Sequence, residues 1–246
     1  MRIDILTTFP HIFDSYMSES MMRQAQKKHK LEFLAHDLRE WTHDTHRTTD
    51  DYVYGGGEGL VMKCEPIFEA TEDLFGNKKP RTIIPAPHGR VFDDKIASEL
   101  AKEENLLFIC GHYEGLDERV YSLADDILSI GDYVLTSGEL GCQVIIDAVV
   151  RKIPGVLGAE TGAEKESFAD YLLEHPQYTR PENFRGMRVP HVLLEGNHHD
   201  INAYNRREAI RRTWKARPDL IEVALREDAL NVSDLATLEK VKSEAC

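Results

Sequence analysis

The alternation of short apolar runs with helix-like segments is the feature that most limits how this chain can fold. Five runs of strand length lie at residues 3–6, 31–35, 82–86, 106–110 and 127–130. Segments with helical character lie between them, at residues 12–26, 65–75 and 93–103. Strands that alternate with helices are typical of a parallel sheet covered by helices. The sequence therefore predicts an α/β fold with a parallel sheet.

Helix starts are predicted from capping residues. Residues 136–139, Thr-Ser-Gly-Glu, have the spacing of a capping box, and an apolar run follows them. We therefore expect a buried helix to begin near Ser137. Asp93 is predicted to cap a second helix, and Asp200 a third helix that ends near Lys215.

The character of the sequence changes after Ile153. A glycine-containing loop of mixed charge follows, and strand patterns give way to helical ones beyond Asp170. We predict an α/β domain at residues 1–160, an interdomain loop at 161–175 and a small helical domain at 176–246.

Composition excludes several classes of protein. Hydrophobic residues make up 41% of the 246 residues and charged residues 30%, which argues against disordered and fibrous chains. No apolar run approaches the roughly 20 residues of a membrane span, and Asp4 stands where a signal peptide is apolar. The cysteines form no C-x-x-C pair. We therefore expect a cytoplasmic protein that makes no contact with a membrane.

Charge is distributed unevenly along the chain. The formal net charge of −13 argues against an extended nucleic-acid surface. Residues 205–217, however, contain six basic side chains and a single acid. On a helix, Arg207, Arg211 and Lys215 share one face and Arg212 lies beside them. This segment is either a solvated helix or a surface that meets phosphates.

Several common ligand-binding motifs are absent from the sequence. There is no dinucleotide fingerprint, P-loop, H-E-x-x-H or G-x-S-x-G. Instead, glycine-containing turns follow three predicted strands, at residues 85–89, 111–115 and 130–140. Because α/β sheets bind ligands at the carboxyl ends of their strands, these turns predict one pocket. The alternative is that they are ordinary tight turns.

Two groups of polar residues also have alternative interpretations. Arg151 with Glu166 and Asp170 combines a carboxylate base with a cation that can stabilise charge, but surface ion pairs have the same sequence pattern. His43 and His46 have neighbouring acids that suggest a metal-dependent phosphohydrolase. Their spacing matches no standard ligand set, so a hydrated loop is the alternative.

A series of longer motifs points to one family. They are DDYVYGGGEG at residues 50–59, GHYEGLDER at 111–119, SIGDYVL at 129–135, IPGVLG at 153–158, SFAD at 167–170, YTRP at 178–181 and RTW at 212–214. In these motifs and their order the chain resembles the bacterial tRNA (guanine-N(1))-methyltransferases, the TrmD family of the SPOUT class. The resemblance implies a deep trefoil knot, one of the rare exceptions to unknotted topology. It also implies a helical C-terminal domain that binds tRNA, and a homodimer with active sites at its interface.

The resemblance further implies that S-adenosyl-L-methionine binds in the knot, held largely by backbone groups. The residues expected around it are Pro87, Gly89, Gly111, Tyr113, Glu114, Gly115, Ile130, Gly131, Tyr133, Leu135 and Gly138. The implied reaction methylates N1 of the guanosine immediately 3′ of the anticodon, position 37. Some family members also use magnesium, which an acid-rich site could accommodate.

The implied catalytic residues are Glu166 as the general base and Arg151 as the group that stabilises charge. Glu166 aligns with the family's proposed catalytic aspartate, and Asp170 remains a rival for the same role. The residues expected to bind tRNA are Arg207, Arg211, Arg212 and Lys215. Departures from the family's motifs, such as His112 for its usual arginine, motivate an alternative: a non-catalytic RNA-binding protein that retains the SPOUT fold.

Overall fold

The computed structural model describes residues 1–57, 59–76, 78–157 and 166–244. The chain forms two compact units, Met1–Glu160 and Thr161–Cys246. The strands of the first unit are β1 (Arg2–Thr7), β2 (Glu32–Asp37), β3 (Asp50–Tyr52), β4 (Leu60–Met62), β5 (Arg81–Val91), β6 (Asn105–Ile109) and β7 (Asp126–Ser129). Its α-helices are α1 (Asp14–Met17), α2 (Ser20–Lys27), α3 (Cys64–Phe75), α4 (Asp94–Leu100) and α5 (Gly138–Val150).

The main sheet of the first unit has the strand order β2-β1-β6-β5-β7. Every neighbouring pair in it is parallel, so the predicted parallel α/β sheet is confirmed. The register between β5 and β7 breaks between Pro85 and Arg90. The intervening residues therefore leave the ladder and form the first of the three predicted turns.

Both faces of this sheet are covered, as the continuous apolar strands suggest. Alternate residues of β6 belong to different clusters: Phe108 packs with residues of α5, and Leu107 packs with residues of α3. Both side chains are fully buried. Because successive side chains of a strand point to opposite faces, the core lies on both sides of the sheet.

Two details of the first unit differ from the sequence prediction. The helix expected over residues 12–26 is divided into a 3-10 turn at Pro10–Phe13, α1 and α2, and Ser20 has a φ of +45°, which a continuous helix does not allow. The predicted capping box is not formed. Ser137 makes no side-chain capping bond, although α5 begins directly after it, and the buried Glu139 accepts a hydrogen bond from Thr7 Oγ1 at 2.5 Å instead.

The second unit contains α6 (His198–Ala216), α7 (Pro218–Arg226), α8 (Val232–Glu244) and a hairpin of β8 (Asn183–Phe184) and β9 (Met187–Arg188). Its core combines residues of the helices with Leu172, and the backbone N–H of Leu173 donates to Thr213 Oγ1 at 2.9 Å. The described end of the predicted interdomain loop thus packs within this unit. Residues 161–165 of that loop lie outside the described residues.

The second unit also corrects one predicted cap and adds unpredicted elements. Asn197, not Asp200, caps α6, because its side chain accepts from the backbone N–H of His199. Asp200 lies inside the first turn. Neither α7 nor the hairpin was expected from the sequence. Among the described residues, no helix has the length and apolar character of a membrane span.

Candidate functional site

A cavity of about 290 Å³ lies beyond the carboxyl ends of β6 and β7. The three glycine-containing turns line it together, as the sequence predicted. Ten residues expected around the cofactor belong to the lining, namely Pro87, Gly111, Tyr113, Glu114, Gly115, Ile130, Gly131, Tyr133, Leu135 and Gly138. Gly89 does not line the cavity. The first unit therefore brings nearly the whole predicted set to one place.

Gly89 and Gly138 allow the turns to pack backbone against backbone. A Cβ atom on Gly89 would lie 2.6 Å from the main chain of Ile127, and one on Gly138 would lie 2.8 Å from the amide nitrogen of Gly111. Gly138 N–H also donates to the carbonyl of Gly111 at 2.7 Å. Since backbone cannot move aside as a side-chain tip can, these positions require glycine. Gly89 thus affects the shape of the cavity without lining it.

Gly131 determines where an aromatic side chain stands at the cavity. Its φ is +144°, and an added Cβ would lie 2.5 Å from the ring of Tyr133. The Tyr133 hydroxyl donates to the carbonyl of Ile130 at 3.0 Å, so the ring folds back over its own turn. Tyr133 remains 56% exposed, which leaves its ring accessible to a ligand.

The β3–β4 hairpin supports the second turn. Glu114 N–H donates to the carbonyl of Leu60, and Met62 N–H donates to the carbonyl of Gly115, both at 3.0 Å. Burial of the ring and the carboxylate of Asp50 raise the pKa of Tyr113. The Tyr113 hydroxyl therefore stays protonated at neutral pH and can donate a hydrogen bond.

An ion-pair cluster that the sequence analysis missed holds both ends of the first turn. Asp126 is buried; its carboxylate accepts from Arg81 Nε at 2.7 Å and from Arg90 Nη2 at 2.5 Å. Arg90 is the first residue of β5 to pair with β7 after the register break. The signal available in the sequence was a basic residue on each side of the turn, Arg81 and Arg90, together with an acid, Asp126, at the start of a later strand.

The two predicted catalytic residues lie in different compact units. Arg151 directly follows α5, and its side chain is half-buried. Glu166 is half-buried and opens a turn in which its carbonyl accepts from the N–H of Ala169 at 3.2 Å. The rival base Asp170 accepts a hydrogen bond from Arg206 Nη1 at 2.5 Å.

The basic residues of α6 are largely engaged within the second unit. Arg211 pairs with Glu208 at 3.1 Å and with Glu244 at 2.6 Å. Arg212 donates to the carbonyl of Glu174 at 3.1 Å. The acids that residues 205–217 lack are thus supplied by other elements of the fold.

The remaining two predicted RNA-binding residues, Arg207 and Lys215, are exposed. Arg207 lies over the ring of Tyr204, with its guanidinium carbon 5.3 Å from the ring centre, and Nε is 3.4 Å from Glu208. Lys215 is exposed, and no ion pair forms at its ammonium group in the described part of the chain.

The predicted metal-ligand loop is organised by other contacts. His43 Nε2 lies 2.7 Å from a carboxylate oxygen of Glu69, and Asp44 accepts from the N–H and hydroxyl of Thr48. Across residues 1–57, 59–76, 78–157 and 166–244, no group of three or more His, Cys, Asp or Glu side chains could hold a metal ion. The metal-dependent hydrolase therefore has no ligand set in the described structure.

A parallel sheet with a cavity lined by turns at its carboxyl edge defines the class: an α/β protein with the arrangement in which such folds bind small ligands. The chain belongs to the tRNA (Guanine-1)-methyltransferase TrmD family, whose model matches residues 1–223. A tRNA (guanine-N(1)-)-methyltransferase of Moorella thermoacetica is 51% identical over 225 residues, 90% of each chain. The protein of that name from Bacillus cereus strain AH820 is 48% identical over 245 residues, 98% of this chain and 99% of the relative. The chain is thus a member of an enzyme family.

Proposed function

We propose that this protein transfers a methyl group from S-adenosyl-L-methionine to N1 of the guanosine immediately 3′ of the anticodon, position 37, in tRNA. The observation that carries the proposal is the cavity, which gathers ten residues expected around the methyl donor. Membership of the TrmD family supports the same reaction.

The cavity suits an adenosine-containing ligand. Its turns present backbone N–H and C=O groups, Tyr113 and Tyr133 offer aromatic faces, and Glu114 can accept from ribose hydroxyls. When bound, S-adenosyl-L-methionine supplies a methyl group attached to a positively charged sulfur. A deep trefoil knot around this site is part of the proposal. The bond from Gly138 to Gly111, which joins the start of α5 to the turn after β6, supports it.

Glu166 acts as the general base in this proposal. Guanine N1 carries a proton at neutral pH, so it is a poor nucleophile until a base removes that proton. General-base help is typically worth about 10² to 10⁴ in rate. As the proton leaves, negative charge moves to the carbonyl oxygen of the base, where the Arg151 guanidinium can stabilise it. The rival carboxylate, Asp170, accepts a hydrogen bond from Arg206 Nη1.

The proposed steps use side chains of this chain, and none of them is routed through magnesium. Substrate tRNA is expected to contact α6 through Arg207, Arg211, Arg212 and Lys215. Lys215 is the most available of these, since Arg207 and Arg211 both pair with Glu208 and Arg212 donates to the carbonyl of Glu174. We also place the enzyme in the cytoplasm, where tRNA is used.

A homodimer with active sites at its interface completes the proposal. Leu140 and Val144, one turn apart on α5, are 48% and 51% exposed, and Ile12 is 42% exposed. Gln143 Nε2 donates to the carbonyl of Ile12 at 3.2 Å, so the main chain at Ile12 lies next to this helix. A second copy of the chain would bury these exposed apolar side chains. Sedimentation is expected to find two chains per particle.

The proposal is tested by incubating the purified protein with methyl-labelled S-adenosyl-L-methionine and unmodified tRNA, and then mapping the label. Label on N1 of guanosine 37 is expected, and a tRNA with adenosine at that position is the control. Binding of tRNA without any transfer would support the non-catalytic alternative. Label at another position would overturn the assigned substrate.

A further inference from the structure

The hairpin of the second unit is an ordered element that projects into solvent. All residues from 177 to 188 are exposed. Its two-residue turn, Arg185 and Gly186, has positive φ values of +53° and +84°, which match the twist of a tight hairpin. Gly186 N–H donates to Asn183 Oδ1 at 3.1 Å, and Val189 N–H donates to the carbonyl of Glu182 at 2.9 Å. The hairpin is thus held by its own bonds.

One face of the hairpin is apolar and aromatic without being covered. Phe184 and Met187 are directly opposite each other, so their side chains share a face. They are 52% and 65% exposed. The guanidinium carbon of Arg185 lies 5.1 Å from the centre of the Phe184 ring. An exposed ring beside a planar cation is a surface on which a nucleic-acid base can stack.

The charge of the hairpin differs from that of α6. Arg180, Arg185 and Arg188 are exposed, and none of them forms an ion pair with any residue that the structure describes. Glu182 is the single acid between residues 177 and 188. In a chain of net charge −13, these arginines form a local positive surface that complements phosphate.

We propose that the hairpin surface, defined by Arg180, Phe184, Arg185 and Arg188, binds a single-stranded segment of RNA. One base stacks on Phe184 beside Arg185, and neighbouring phosphates meet Arg180 and Arg188. The inference rests on the proposed function, whose target guanosine lies next to the anticodon, in a single-stranded loop. RNA is favoured over a protein partner because the aromatic face is surrounded by cations that have no carboxylate partners.

The test compares tRNA binding by two double variants of equal charge. R180Q/R188Q removes two proposed phosphate contacts, and R226Q/K240Q removes two exposed cations elsewhere in the second unit. Affinity is measured over a series of salt concentrations. Each lost phosphate contact lowers the log-log salt slope by roughly 0.7 to 0.9, so R180Q/R188Q is expected to lose roughly 1.5 and the control almost nothing.

Phe184→Ala tests the stacking part separately. It is expected to weaken tRNA binding by roughly fivefold or more without changing the salt slope, while Phe184→Tyr keeps wild-type affinity. Titration with S-adenosyl-L-methionine should give the wild-type affinity for every variant, which shows that the first unit is intact. The fluorescence of Trp214, which packs against the core of the second unit, should also be unchanged, which shows that the second unit is folded.

Two results would overturn the inference. Equal salt slopes for the two double variants, together with normal affinity of Phe184→Ala, would assign the hairpin to another partner such as a protein. If these variants also methylate tRNA normally, the proposed function stands and only the hairpin surface is lost. Failure of the wild-type protein to bind or methylate tRNA would instead remove the proposed function and the inference together.

Discussion

The two units of this protein build their binding surfaces by different means. In the first unit, three turns line the cavity, and glycines allow the main chain of one turn to pack directly on another segment. In the second unit, side-chain ion pairs join α6 to α8 and to the turn that contains Asp170. Each turn of the cavity is a run of residues that are adjacent in sequence, whereas the ion pairs that join α6 to α8 have partners far apart in the sequence. The turns are therefore much easier to recognise from a sequence.

The largest expected effect is on the rate of methyl transfer, and it comes from Glu166, a side chain of the second unit with a proposed catalytic role. Glu166→Gln keeps the size of the side chain but cannot accept a proton. We expect single-turnover methyl transfer to fall by at least about a hundredfold, near the lower limit for loss of a general base. Binding of both substrates should persist.

Asp170→Asn is the matched control for this assignment, because Asp170 pairs with Arg206. It should keep methyl transfer within about tenfold of wild type. If Asp170→Asn abolishes transfer while Glu166→Gln remains within a few fold, the base has been assigned to the wrong carboxylate.

The next effect tests whether α6 cations hold the second unit together. Arg206→Gln leaves Asp234, which is only 3% exposed, without its cation. We expect the free energy of unfolding of this unit to fall by about 2–3 kcal/mol. Lys215→Gln, which removes an exposed charge, should change it by less than about 0.5 kcal/mol.

The two tryptophans allow each unit to be followed separately, since Trp41 lies in the first unit and Trp214 packs against the core of the second. In a Trp41→Phe background, the fluorescence of Trp214 during urea unfolding therefore reports the stability of the second unit, with and without Arg206→Gln. Equal stability of Arg206→Gln and Lys215→Gln would show that the ion pairs of α6 are incidental.

A smaller effect, on pH dependence, is expected in the first unit. The carboxylate of Asp4 is fully buried; burial raises its pKa, but hydrogen bonds from His36 and Arg2 outweigh this and hold the pKa below its usual value. The unfolded chain therefore takes up the proton more readily. Stability from Asp4 is complete above about pH 4 and is lost as the pH falls through the lower pKa of the folded state.

Asp4→Asn should flatten this acid limb of the stability curve. The measurement is urea unfolding from pH 6 to pH 3 in a Trp214→Phe background, so that Trp41 reports on the first unit. An unchanged acid limb in Asp4→Asn would mean that other carboxylates control the pH dependence.

The same contrast explains how much the sequence could predict. The parallel strands were predicted because each is a short, mostly apolar run, and the cavity turns because each carries glycine after a strand. Glu139 was misread as half of a capping box. Its partner Thr7 is 132 residues away, and no local pattern shows such a bond.

The charge environment of the basic segment of α6 was also only partly predictable from the sequence. Its local excess of cations predicted a phosphate-binding face, but Glu244 and Asp234 compensate part of that charge from α8. The three exposed arginines of the hairpin, as a charge pattern, predict no binding site, because three cations among polar residues are common in sequences. Their lack of acidic partners is visible only in the fold.

In the proposed function, turns of the first unit hold the methyl donor, and Gly131→Ala is the sharpest test of this role. The new methyl group would press on the Tyr133 ring at the cavity, while Gly76→Ala, also at a positive φ, meets no neighbour within 4 Å. Calorimetric titration with S-adenosyl-L-methionine should show at least about tenfold weaker binding for Gly131→Ala. Gly76→Ala should bind normally, and tRNA affinity should be unchanged in both. Wild-type affinity of Gly131→Ala for S-adenosyl-L-methionine would show that the turn containing Gly131 does not hold the methyl donor.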